Sequence, residues 1–162
     1  MTCARKIPSY VIVCLMVQAM SAIAGNFFPP EYKQFPFRAG DLIVGRTSGG
    51  SFPITKILKV DRFDFKKGSR INIQGKWFTA TEDDYLLVVG VAYGEGQFHS
   101  FEEARAAALA GTWKVTMGHL PFRTPSVAKF GVFVGNVSVS ATELSGYEIW
   151  RTRFERGEAG IF

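Results

Sequence analysis

Two histidines, His99 and His119, are the only imidazoles in the 162-residue chain. They are its only side chains that ordinarily change charge near neutral pH once its two cysteines are set aside. Paired with a carboxylate, either could act as the base of a small hydrolase. His119 shares strand parity with Trp113, Val115 and Met117, and so reads as a partly buried strand-end histidine with a backbone partner. His99 stands in a loop between Phe98 and Ser100. No HxH or HExxH spacing is present, so the residues name no metal site. Serines and carboxylates are plentiful, but no G-x-S-x-G elbow presents a nucleophile. Ser48-Gly49-Gly50-Ser51 lacks the GK[ST] ending of a phosphate loop, and no other motif calls for a cofactor. Glu82-Asp83-Asp84 could offer oxygens to a hard cation, yet without the spacing and glycine of a calcium loop it reads as a solvated turn.

Binding chemistry is better represented. Lys56, Lys59, Arg62, Lys66, Lys67 and Arg70 stand against Asp61 and Asp64, a local excess of four positive charges. The ordinary reading is a solvated strand face. The sharper one is a docking surface for an acidic protein partner, which would raise association rate and specificity more than affinity. Trp77 follows a hairpin turn beside Lys76. Core packing is its expected role; left exposed, it could stack on a sugar or anchor an interface.

The N-terminus bears on where such binding would occur. Arg5 and Lys6 precede an uncharged apolar run, and Ala22 and Ala24 form the A-x-A pattern read by signal peptidase. The reading is a cleavable signal over residues 1–24 and a single domain over 25–162. The competing reading is an uncleaved anchor, disfavoured because Pro8, Ser9, Gln18 and Ser21 interrupt the run. Cys3 and Cys14 both fall in this segment, so the remainder has no thiol for a disulfide, a nucleophile or a metal. Export to a periplasm or secretion is expected, with Asn136-Val-Ser138 a glycosylation acceptor in the eukaryotic case. The signal holds two of the 19 basic residues and none of the 14 acidic ones, leaving a mild net charge of +3. Export and the lack of a dense basic stripe argue against nucleic acid. Membrane contact is expected only through the signal.

The elements that would position these residues follow from periodicity. Residues 26–37 are rich in Phe and Pro and read as an extended lead-in lying over the domain. Strands are expected at 41–47, at 54–60 with a phase shift near Asp61 and Arg62, at 70–74, at 77–80 after a Gly75-Lys76 turn, at 85–93, at 112–119 and within 130–139. Residues 121–126 read as loop. Ser100 and Glu103 have capping-box spacing before a helix over 101–110 that ends at Gly111. Ser140 and Glu143 repeat that spacing before a C-terminal helix whose Leu144, Tyr147, Trp150 and Phe154 make one apolar stripe. Trp113 and Trp150 are expected in the core. The fold class is therefore α+β, a mainly antiparallel sheet of six to eight strands carrying one short central helix and a C-terminal helix.

Taken together, these features favour an exported, non-enzymatic interaction protein, of the kind exemplified by an immunity-type inhibitor of an envelope-targeted partner. An envelope glycan-binding module and a small hydrolase using His99 or His119 are the competing expectations.

Overall fold

The computed structural model describes residues 28–162. The expected export signal, with Ala22 and Ala24, lies outside the described residues. A 3-10 turn at Pro30–Tyr32 interrupts the lead-in expected to be extended, and seven strands and three α-helices follow in order: β1 (Asp41–Val44), β2 (Ile54–Phe65), β3 (Arg70–Ile73), β4 (Lys76–Thr79), β5 (Asp84–Gly94), α1 (Phe101–Ala110), β6 (Met117–Arg123), α2 (Thr124–Val127), β7 (Val132–Asn136) and α3 (Ala141–Glu155). Five strands form one antiparallel sheet in the order β6-β5-β2-β1-β7, and β3 and β4 form a separate hairpin. The α+β class and both helices stand as expected.

The long pair β2–β5 is the spine. β5 is apolar along most of its length and is covered on both faces. On one face α1 packs over β1 and β7 through Leu42, Val44, Ile54, Ala104 and Ala108. The small alanines let this helix approach the sheet closely. On the same face α3 lays Tyr147, Trp150 and Phe154 over Phe63, Leu86 and Val88. Leu144, the fourth residue of the expected stripe, is only partly buried. The opposite face is closed by Phe35 and Phe37 of the lead-in together with Val127 of α2 and Phe130. The Phe/Pro lead-in is therefore packed, with Phe28 buried against the α3 side of the core.

Both helix starts behave as their spacing predicts. The Ser100 hydroxyl accepts from the Glu103 amide, and Ser140 and Glu143 form a complete capping box. Gly111, at φ +67°, ends α1 in the left-handed conformation.

Four expectations need correction. The phase shift in β2 lies at Leu58, where the pairing with β5 slips by one residue, and not at Asp61. That bulge lets Ile57 and Val60 face one layer while Asp61 and Phe63 face the other. The hairpin turn is Gln74-Gly75, both at positive φ, so that Lys76 already pairs with Ile73. Residues 112–116 are not strand; β6 begins at Met117 and runs through Pro121 to Arg123, the stretch read as loop. Proline is tolerated there because β6 is an edge strand: among the described residues it pairs with no strand but β5, and on its outer side Pro121 only accepts, from the Phe162 amide. Trp113 is half-buried against α1, not a strand residue, and Val115 and Met117 are exposed.

Candidate functional site

The six basic residues expected to share one face do not share it. Lys56 is 5% exposed; its ammonium donates to the Ser138 carbonyl at 3.0 Å and pairs with Glu143 at 2.6 Å. It is a buried strut between β2 and the start of α3. Lys59 lies 4.0 Å from Asp61. Arg62 donates twice to Asp64 and lies over the Tyr85 ring. Lys66 reaches Asp83 at 2.8 Å. Lys67 and Arg70 make no ion pair among the described residues. The alternation of strands and the Leu58 bulge distribute these charges over two faces and a turn, and most meet a carboxylate.

The acidic turn is not simply solvated. Asp83 accepts from Lys66 and from the Lys67 amide. The Asp84 side chain is 3% exposed and takes the Lys33 ammonium at 2.6 Å and the Phe28 and Tyr85 amides. Burial pushes the Asp84 carboxyl up, but these donors outweigh it and hold the group below the usual carboxylate range. Asp84 thus fastens the lead-in to β5. Among the described residues no three His, Cys, Asp or Glu side chains are grouped to hold a metal.

The histidines differ sharply. His99 is exposed in the loop before α1. His119 is wedged between β6 and α3, its ring 5.4 Å from that of Tyr147 and 5.6 Å from that of Trp150. Its expected backbone partner is not found among the described residues: there Nε2 is buried with no hydrogen-bond partner, and burial pushes the imidazole down to about 4. The neighbouring Tyr147 hydroxyl donates instead to Asp61 at 2.7 Å, which also takes Arg151 at 2.9 Å. Neither histidine has a carboxylate within hydrogen-bond distance among the described residues, so a base–carboxylate pair is not assembled.

The side chain that stands out is Trp77, which is 47% exposed, contrary to the core role expected for it. The reason is topological. Ile71 and Ile73 turn one face of the hairpin into the core, which leaves Arg70, Asn72, Trp77 and Thr79 on the other. The Arg70 guanidinium lies 4.8 Å from the Trp77 ring centroid. Beside them runs a cleft of about 300 Å³ between the hairpin and the end of α3, walled by Phe63, Phe65, Trp77 and Phe154. Ser69 and Asn72 line it with no side-chain hydrogen bond among the described residues. Asp64 and Glu155, also on its wall, are already held by Arg62 and Arg151. Phe78, 41% exposed, opens on the other side of β4 toward Phe28 and Tyr32. Of the sequence-predicted residues, Arg70 and Trp77 come together here, Lys67 sits in the turn that precedes β3, and Lys56, Lys59 and Arg62 lie elsewhere. Asn72, Phe78 and the cleft were missed, because a fold-back of α3 onto the hairpin leaves no local signature.

No protein-family model matches this chain, no curated protein matches it, and no solved structure matches it. None of the helices among the described residues is long and apolar enough to cross a membrane.

Proposed function

We propose that this protein is an exported, non-enzymatic binding protein that engages a protein partner through the β3–β4 hairpin. The observation that carries the reading is the exposed Trp77 with Arg70 laid over its ring. Tryptophan and arginine are the side chains that most often dominate interface energetics, and a pre-stacked pair gives up little freedom on binding. Among the described residues β4 pairs with β3 alone, so its outer edge also offers backbone donors and acceptors. Lys67, Arg70 and Lys76 surround the aromatics without ion-paired carboxylates, which suits an acidic partner surface with an apolar centre. An immunity-type inhibitor of an envelope-targeted protein fits this chemistry and the export signal read from the sequence.

The test is capture of a stoichiometric partner from envelope extract, followed by affinity measurement with purified components. Trp77→Ala is expected to weaken binding by about 2 kcal/mol or more, roughly thirtyfold. Arg70→Glu is expected to slow association and weaken its salt dependence. Unchanged affinity in both variants would refute the hairpin as the contact.

The glycan reading has its own support in the unengaged Ser69 and Asn72 beside Trp77, since sugars need both a flat apolar wall and free polar groups. It calls for sedimentation with purified cell wall that is lost in Trp77→Ala and in Asn72→Ala but kept in Arg70→Glu.

A further inference from the structure

A second cleft lies on the sheet face opposite α3, where the start of β2, the end of β5 and the start of β6 meet the segment 129–130. Its volume is about 340 Å³. It exists because Gly45 lacks a side chain: a Cβ there would sit 2.3 Å from the Phe130 carbonyl oxygen. With hydrogen in that place, the chain after α2 lies directly on the end of β1 and stands Phe130 up as a wall. Leu120 and Phe122 supply the floor, and Met117 and Tyr93 close the side.

Three polar groups mark this apolar cleft. Thr55 is 2% exposed, yet its hydroxyl makes no hydrogen bond among the described residues, although it faces the cleft. The oxygen itself is not sealed from solvent, so it stands available to a ligand as donor or acceptor. Arg46 and Lys129 stand in the same lining, and neither has a carboxylate partner among the described residues. Glu95, the nearby acid, is engaged by the Tyr93 hydroxyl. The cleft therefore combines an alkyl-sized apolar floor, one free hydroxyl and two cations that form no ion pair among the described residues.

We propose that this cleft binds an anionic amphiphile, an alkyl chain ending in a single carboxylate or phosphate. The chain lies on Leu120, Phe122 and Phe130, and the headgroup meets Thr55, Arg46 and Lys129. The cations select against a cationic headgroup, and the floor selects against a bare inorganic anion. This site is separate from the hairpin and does not depend on its role.

The experiment is calorimetric titration of the purified protein with decanoate, decyl phosphate, decanol and decyltrimethylammonium, each below its micelle concentration, with amide shifts followed by NMR. Saturable 1:1 binding of either anion, with shifts centred on Thr55 and Leu120, is expected; whichever anion binds more tightly identifies the headgroup. Octanoate should bind roughly tenfold more weakly than decanoate, as two methylenes fewer are buried. Arg46→Glu with Lys129→Glu, both at exposed positions, should weaken the anion at least tenfold while leaving the circular dichroism unchanged. Equal affinity for the ammonium and the carboxylate, or no saturable binding of either anion, would overturn the assignment.

Discussion

At the scale of single residues, charges that look alike in the sequence serve different ends once folded. Lys56 and Lys66 both belong to one basic run, but the first is a buried strut and the second an exposed partner of Asp83. Removing one member of an ion pair strands the other, and the cost follows how deeply the stranded group is buried: the Lys56 side chain is 6% exposed, that of Glu143 35%. Glu143→Ala should therefore cost about 2–4 kcal/mol, because it breaks the α3 capping box and leaves the Lys56 ammonium with the Ser138 carbonyl alone. Lys56→Met should cost about 1 kcal/mol or less, because the Glu143 carboxylate it leaves behind is partly in solvent and keeps its bonds from Ser140. Urea unfolding of the two variants checks this, and equal losses would contradict it. His119 gives a second prediction. Its folded pKa, about 4, lies below the ordinary value of 6.5, so the unfolded chain binds the proton more readily. Its contribution is intact above pH 6.5 and is lost as pH falls from there toward 4. The urea midpoint should drop across that window in the native protein and stay flatter in His119→Phe. Asp84 acts lower on the scale: its depressed carboxyl stabilises the fold above the usual carboxylate range, and that contribution disappears only as pH falls below about 4.

At the scale of elements, α3 is seated by absences as much as by contacts. A Cβ on Gly90 of β5 would meet Tyr147 Cδ2 at 2.5 Å, and one on Gly146 would meet His119 Cβ at 3.0 Å. Gly90→Ala should lift α3 from the sheet at a cost of about 1–3 kcal/mol, the usual range for overpacking, with a loss of near-ultraviolet ellipticity from Tyr147 and Trp150. Sheet edges carry another consequence. β7 is an outer strand with Val132 60% and Phe133 51% exposed, and the run from Gly131 to Ser140 has no charge. Uncharged apolar edges invite pairing between molecules. Phe133→Lys is expected to reduce concentration-dependent light scattering without changing the unfolding free energy by more than about 0.5 kcal/mol. These elements were unequally readable. Capping boxes, the apolar run of β5 and the alternation of β3 are local signals, and they placed both long helices and most strands. β6 was misplaced because Pro121 looks like a terminator, and only its position on an edge makes it harmless.

At the scale of the whole molecule, one sheet is closed on both sides by material from distant parts of the chain. Phe28, Phe35 and Phe37 come from the lead-in, which Asp84 and Lys33 tie to β5. The terminal residues lace the hairpin to β6: Gln74 donates to the Ile161 carbonyl, and Phe162 donates to that of Pro121. Full burial of a phenylalanine, as at Phe28, is worth about 1.5–3 kcal/mol, and the partly buried Phe35 and Phe37 add less each, against a total stability of about 5–15 kcal/mol for such a domain. A chain beginning at Arg38 should therefore lose cooperative unfolding and bind hydrophobic dye, while retention of a sharp thermal transition would show that the lead-in is dispensable.

The sequence by itself determined the fold class, the helix starts, the buried faces of β3 and β5, and the aromatic character of the lead-in. Each of these rests on interactions between residues a few positions apart, whose energies are written in spacing and composition. Only tertiary structure decided that Lys56 is buried and Trp77 exposed, that His119 Nε2 has no hydrogen-bond partner among the described residues, and that Arg70 and Asn72 border a cleft closed by α3. Those outcomes depend on which face a strand presents after a bulge and on which distant segment covers it. Both are set by packing across the sheet, where neighbours in space are dozens of residues apart along the chain.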